Sequence, residues 1–248
     1  MTRRLLPSIL MGLALVLLAL GAGEAFVQHR QDEYVRAMTR EALEGSAGRD
    51  FDSKVTALRD YVRAHVRNID FSARGRPFLR DTAADTLSTG KGRCGEAARV
   101  FVNMARAAGI PAQRLYLEGR KAHVVTVVEA ADGREIVVDA TNRFYFPDIF
   151  TLDALKQHTE FDTYSTFGWR RLAALRSLPS NFVNLGALSY LLENPHALLA
   201  SLCLLSSALT LALAAFVRRR LPRRSPQPFQ VQEGFPVPSM LEGEGAEA

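Results

Sequence analysis

Two uncharged apolar blocks, one near each end of the 248-residue chain, constrain it more than any other feature. The first runs from Leu5 to about Gly23, behind Arg3 and Arg4; the second is ALLASLCLLSSALTLALAAF, Ala197 to Phe216. A helix of about 20 such residues crosses roughly 30 Å of hydrocarbon, so residues 5–23 and 197–217 read as transmembrane helices. Arginines flank the outer end of each block: Arg3 and Arg4 before the first, and Arg218, Arg219, Arg220, Arg223 and Arg224 after the second. The positive-inside bias then puts both termini in the cytoplasm and residues 24–196 on the far side of the cell membrane, as a periplasmic or otherwise extracytoplasmic domain. Gly21, Ala22, Gly23 and Ala25 also fit a cleavable signal peptide. The apolar run is longer than a usual signal core, which favours a retained anchor, and either reading exports the middle of the chain.

The lipid bilayer is therefore an expected partner. A net charge of +5 would suit nucleic acid, but the densest basic run directly follows an apolar block, where it orients a membrane helix. No nucleic-acid partner is expected. Between the blocks, residues 31–150 read as the folded domain and 151–196 as a helical juxtamembrane segment. Residues 218–248 read as a cytoplasmic tail, basic at first and then rich in Pro, Gly and Glu, a composition of disordered chain.

Only two cysteines are present, and Cys203 lies inside the second apolar block. Cys94 is thus the sole cysteine of the exported domain. A lone thiol in an oxidising compartment points to reactivity, although a buried inert cysteine is the commoner case in general. Its surroundings have to decide.

Periodicity supplies those surroundings. Gln31–Leu43 reads as an amphipathic helix ended by Gly45-Ser46-Ala47-Gly48. Asp52 or Ser53 can cap a second helix carrying Val55, Leu58, Tyr61, Val62 and Val66. Phe71–Asp85 reads as a loop. A helix starting near Cys94 has a buried stripe of Ala97, Val100, Phe101, Met104, Ala105 and Ala108, and Gly109 and Pro111 stop it. The period then becomes two: Gln113–Leu117, His123–Ala130 and Arg134–Ala140 read as strands, the last two joined through Ala131-Asp132-Gly133. Beyond Pro147 the chain turns helical, with short helices at Thr151–Gln157 and Phe167–Leu175, and Asn181–Leu192 lies at the membrane interface.

A cysteine opening a helix behind Gly90-Lys91-Gly92-Arg93 meets unpaired amides and the positive end of the helix dipole, both of which favour thiolate. Glu96 opposes this unless it turns away. If the 131–133 loop has three residues with Gly133 left-handed, Asp139 falls opposite Val125 and shares a face with His123. Diagonal neighbours of that kind stand about 7–8 Å apart at Cα, within reach of a histidine–carboxylate hydrogen bond. A two-residue loop would separate them. The three-residue register also sets Glu129 against Glu135. Cys94, His123 and Asp139 are the expected catalytic residues: nucleophile, acid–base and orienting carboxylate. The Cys94 amide is the expected oxyanion donor, and the sequence assigns no second one.

Gly92-Arg93-Cys94-Gly95-Glu96-Ala97-Ala98-Arg99, Gly109-Ile110-Pro111-Ala112, Ala122-His123 and Val138-Asp139-Ala140-Thr141, behind the helix Val55–Asn68, resemble the transglutaminase-like superfamily of papain-type cysteine enzymes. The resemblance covers about residues 52–145 and is of the bacterial membrane-anchored kind. It implies an α+β core with N-terminal helices, the cysteine at a helix N-terminus and an antiparallel sheet, flanked by the two transmembrane helices. It also implies acyl transfer or amide hydrolysis on a peptide or protein substrate, with hydrolysis slightly preferred because water is the more available acceptor. Departures are Val124 and Val125 where the family commonly has an aromatic, Ala140 where proline is common, and Gln113 where arginine is frequent. A catalytically inactive scaffold in an envelope or secretion assembly, or a peptide-binding module, is the alternative. No cofactor and no metal site are expected: His29, His65, His158 and His196 lack ligand spacing, and Trp169 reads as a packing or interfacial anchor.

Overall fold

The computed structural model describes residues 2–44, 50–69, 81–119, 122–141, 150–157, 161–165 and 187–220. The turn at 45–48, most of the expected 71–85 loop, His158, Trp169, the helix expected at 167–175, residues 181–186 and the tail beyond 220 lie outside them. The elements run α1 (Thr2–Ala42), α2 (Phe51–His65), β1 (Arg67–Asn68), α3 (Ala83–Thr89), β2 (Lys91–Gly92), α4 (Cys94–Ala107), β3 (Ala112–Gly119), β4 (His123–Glu129), β5 (Glu135–Val138), β6 (Phe150–Thr151), α5 (Leu152–Lys156), β7 (Phe161–Ser165), α6 (Ala187–Glu193) and α7 (Pro195–Arg220).

The first apolar block and the amphipathic stretch after it form one helix, α1, because no proline or capping residue separates them. α7 packs antiparallel along it. Ser207 Oγ donates to the Ala14 carbonyl (2.8 Å), the Ala197 amide donates to Gln28 Oε1 (3.2 Å), and Tyr190 of α6 donates to Asp32 Oδ2 (2.6 Å). The antiparallel pairing brings the arginine-flanked ends of both blocks to the same end of the pair. Along α1 the buried positions include Ala14, Gly21, Gln28 and Val35; along α7 they include Ala200, Ser207 and Ala214. Both sets recur every seventh residue, the seam spacing of two helices wound about each other, and the residues are mostly small enough for close backbone approach. The rest of the apolar surface faces outward: Leu5, Ile9, Val16 and Leu20 on one helix, Leu205, Leu209, Leu213 and Phe216 on the other. Only 11% and 22% of the most apolar windows are buried, unlike the core helices of a water-soluble fold. Both helices are long and apolar enough to cross a membrane.

The domain is α+β, as expected, with an antiparallel five-stranded sheet ordered β6-β5-β4-β3-β7. Helices α2 and α4, together with the distal part of α1, cover one face. There Val35, Val55, Leu58, Val62, Val100, Phe101 and Met104 join Val128, Ile136 and Val138 in the main core. α4 is buried around nearly its whole circumference from Glu96 to Ala105, more than the single stripe expected, because α1, α2, α3 and the sheet enclose it. α5 packs on the opposite face through Leu152 and Leu155, against Leu115, Leu117, Val125, Val127 and Val137.

Three expectations need correction. The cap of α2 is Asp50, whose carboxylate accepts the Ser53 amide at 2.7 Å; the helix begins earlier because Phe51 packs on the core. The expected loop ends early: Thr82 and Asp85 form a reciprocal capping box that starts α3 at Ala83. The segment assigned as helical from 151 to 196 also contains β7, which extends the sheet beside β3, while β6 pairs with β5 just ahead of α5.

Candidate active site

The chain enters the site through a short parallel bridge. The Arg67 and Ile69 amides donate to the Gly90 and Gly92 carbonyls (2.9 and 3.1 Å), tying the segment before Cys94 to the end of α2. Gly90 adopts φ 65° as the left-handed C-cap of α3. Gly92 is glycine for want of space: a Cβ there would stand 2.9 Å from Glu96 Cβ and 3.0 Å from Thr86 Cγ2. Cys94 is then the first residue of α4, where helix amides have no carbonyl partner of their own. Glu96 does turn away: its carboxylate accepts the Arg93 amide at 3.0 Å, so it caps the helix.

The hairpin has the three-residue register. Gly133 sits at φ 81°, the Ala130 amide donates to the Arg134 carbonyl at 2.9 Å, and Thr126 pairs with Val138, which sets Asp139 opposite Val125. Glu129 and Glu135 pair at the solvent-facing end, as that register requires. At the other end His123 Nε2 lies 2.8 Å from Asp139 Oδ2, with both side chains buried. The second ring nitrogen, Nδ1, is left for the Cys94 thiol, to which His123 is also hydrogen-bonded.

Each group shifts the other's titration. Burial pushes the Cys94 thiol up, but the hydrogen bond and charge of His123, with the backbone at Val124 and Gly95, outweigh it and hold the thiol below its ordinary value. Burial alone would lower His123; hydrogen bonds to Asp139 and Cys94 and their charges instead raise it from 6.5 to about 9. Both shifts favour the thiolate–imidazolium form of the pair over thiol and neutral imidazole.

Two residues that sequence reasoning gave no role complete the arrangement. The Thr141 amide and hydroxyl both donate to Asp139 Oδ1, each at 2.8 Å. Arg63, on α2, donates to the Asp139 carbonyl at 2.6 Å. Asp-x-Thr is a turn signal that could have flagged the first; nothing local could have flagged a contact spanning 76 residues. Among the described residues, the other histidines make their own contacts elsewhere. His65 stacks on Tyr61, ring centroids 3.9 Å apart, and His196 pairs with Glu24 at 2.6 Å between α1 and α7. His29 is exposed on α1, and Cys203 packs beside Gly21. Among the described residues, no three His, Cys, Asp or Glu side chains gather in a way that could hold a metal ion.

The chain was compared with known proteins. No curated protein matches it significantly. Among solved structures, a candidate cysteine protease from Cytophaga hutchinsonii is 23% identical over 44% of this chain and 38% of its own, with a TM-score of 0.36. A candidate protease from Parabacteroides distasonis is 16% identical over 47% and 26%, TM-score 0.35. A TGase is 16% identical over 53% and 37%, TM-score 0.37. The chain thus spans well under half the length of each of these structures. The model of the transglutaminase-like superfamily core matches residues 36–169, more than half of the sequence. This chain belongs to the transglutaminase-like superfamily.

Proposed function

We propose that this protein is a membrane-anchored cysteine enzyme that takes up an acyl group from a peptide or protein amide on Cys94, outside the cytoplasm. The observation that carries the reading is the Asp139–His123 hydrogen bond of 2.8 Å, with His123 hydrogen-bonded in turn to a thiol at the start of a helix. In this reading Cys94 Sγ, as thiolate, attacks the amide carbon. The Cys94 amide at the helix start stabilises the oxyanion, and His123 gives its proton to the departing amine. Water, or a second amine, then attacks the thioester with His123 as base, releasing the acid or a new amide and restoring the thiol. Asp139 holds the imidazole tautomer and supports its cation throughout. Hydrolysis is the preferred outcome, since water is the ubiquitous acceptor.

The same reading makes α1 and α7 the two membrane spans, with both arginine-rich ends in the cytoplasm and the domain on the opposite side. Support comes from their outward-facing leucines and the shared position of their basic flanks. The test is labelling of the full-length protein with a thiol-directed acyl probe, followed by mass spectrometry of the Cys94 peptide. Wild type should label near neutral pH and release the acyl group, whereas His123→Ala should do neither. A folded wild-type protein that fails to label would be a scaffold or a peptide-binding module instead.

A further inference from the structure

Behind the site lies a buried charge cluster that the proposed chemistry does not use. Arg114, on β3, is 6% exposed, and Arg99, on α4, is 2% exposed. The Arg114 Nε stands 2.7 Å from the Glu193 carboxylate, and the Arg99 Nε 3.5 Å from it. Glu193 is itself buried, and it is the last residue of α6, separated from the start of α7 by Asn194 alone. The acid that closes this cluster therefore comes from the root of the second apolar helix, not from the domain around it. Burial alone would pull the Arg114 guanidinium below its ordinary value; the charge of Glu193 and that of Tyr116, with the Glu193 hydrogen bond, more than reverse this. A buried guanidinium is tolerable only when it is paired in this way.

The two elements that Glu193 joins are those that set the reacting groups. α4 begins at Cys94. β3 pairs with β4 so that Arg114 lies opposite Thr126 and Leu117 opposite His123. Thr126 also directs its hydroxyl to the Ala98 carbonyl of α4 at 3.5 Å. Glu96, which caps α4 beside Cys94, adds to the field at Arg114. The Glu193 carboxylate thus ties the membrane-proximal helix to both α4, through Arg99, and β3, through Arg114.

We propose that Glu193 is a positioning residue: the helix pair not only tethers the domain but supplies the counter-charge that fixes α4 against β3 and β4, so that Cys94 meets His123. This deepens the proposed function and rests on it, because the consequence is drawn for the same thiol and imidazole.

The experiment measures the rate of Cys94 carbamidomethylation by iodoacetamide against pH, read by mass spectrometry, on the full-length chain in lipid nanodiscs. Wild type should show a midpoint below that of an ordinary thiol. Glu193→Gln should move the midpoint up toward about 8.5 and slow the reaction at pH 6.5 at least tenfold. Glu193→Asp, which keeps the charge but shortens its reach, should fall between the two. A wild-type midpoint in Glu193→Gln overturns the proposal. So does a lower one, which is what the field of the arginines without the Glu193 carboxylate would give. Should Glu193→Gln not fold, Glu193→Asp decides: a raised midpoint supports positioning and an unmoved one overturns it. An ordinary midpoint in wild type would overturn the catalytic reading and this one with it, whereas failure of the positioning claim alone leaves the wild-type midpoint low.

Discussion

Thr141 holds Asp139 from two sides of one atom: its amide and its hydroxyl both end on Oδ1, leaving Oδ2 to His123. The carboxylate is thereby fixed in rotation as well as in position. Thr141→Val removes the hydroxyl but keeps the amide and the side-chain shape. We expect a loss of about 1–2 kcal/mol in unfolding free energy, and a fall of about tenfold in acylation of Cys94, the rate cost of about 1.4 kcal/mol. Thr141→Ser should retain most of both. Denaturant unfolding and probe-labelling rates check these outcomes.

The imidazole of His123 keeps its proton to about pH 9, against 6.5 for an ordinary histidine. Wild-type reactivity should rise at a pH below that of an ordinary thiol, and His123→Ala should return the midpoint to the ordinary range. A stability signature follows as well. A folded-state value raised above the unfolded one contributes stability that is fully present below pH 6.5 and is lost as pH rises through the folded value. In wild type the opposite titration of Cys94 offsets this. Cys94→Ala removes that offset along with the thiol's own share of the shift and leaves the Asp139 pairing, which still raises His123, so its melting temperature should decline as pH is raised above 6.5. A flat profile would count against a raised His123.

Gly21 is the tight point of the helix pair, since a Cβ there would stand 2.9 Å from Leu204 Cγ, while Gly12 has nothing within 4 Å. Gly21→Ile should pry α1 from α7 and lower the thermal midpoint in nanodiscs by several degrees, whereas Gly12→Ile should leave it unchanged. Equal effects from both would mean that the pairing contributes little.

Membrane topology gives a further outcome. In intact cells expressing the full chain, a membrane-impermeant maleimide should modify Cys94 without permeabilisation, whereas a cysteine introduced at Ser225 should require it. The reverse pattern would invert the orientation drawn from the arginines.

Much of this was legible in the sequence because the signals were local. Gly133 fixed a three-residue loop, and with it the side of the sheet on which Asp139 falls. Cys94 followed a glycine-rich approach and opened a helix whose buried residues recurred at helical spacing. What escaped depended on distant partners. Arg63 reaches Asp139 from a separate helix, and Glu193 looks like an ordinary interfacial acid until α6 folds against Arg99 and Arg114. β7 was hidden for a related reason: an edge strand takes its structure from the neighbour it pairs with, here β3, more than from its own short run. α3 had a readable start at Thr82 and Asp85, but the charged, proline-containing stretch before it pointed to a loop.

The continuity of α1 has a consequence for where this chemistry can happen. No flexible linker separates its apolar half from the half bearing Val35, which is packed into the main core. At 1.5 Å per residue, the stretch beyond Gly23 rises roughly 28 Å. With α1 spanning the bilayer as proposed, the domain would ride at a set height and could not sweep a volume as a tethered one would. Its collisions would then be confined to a thin shell above the lipid, and on the proposed chemistry a target would have to present its amide within that shell to be met at all.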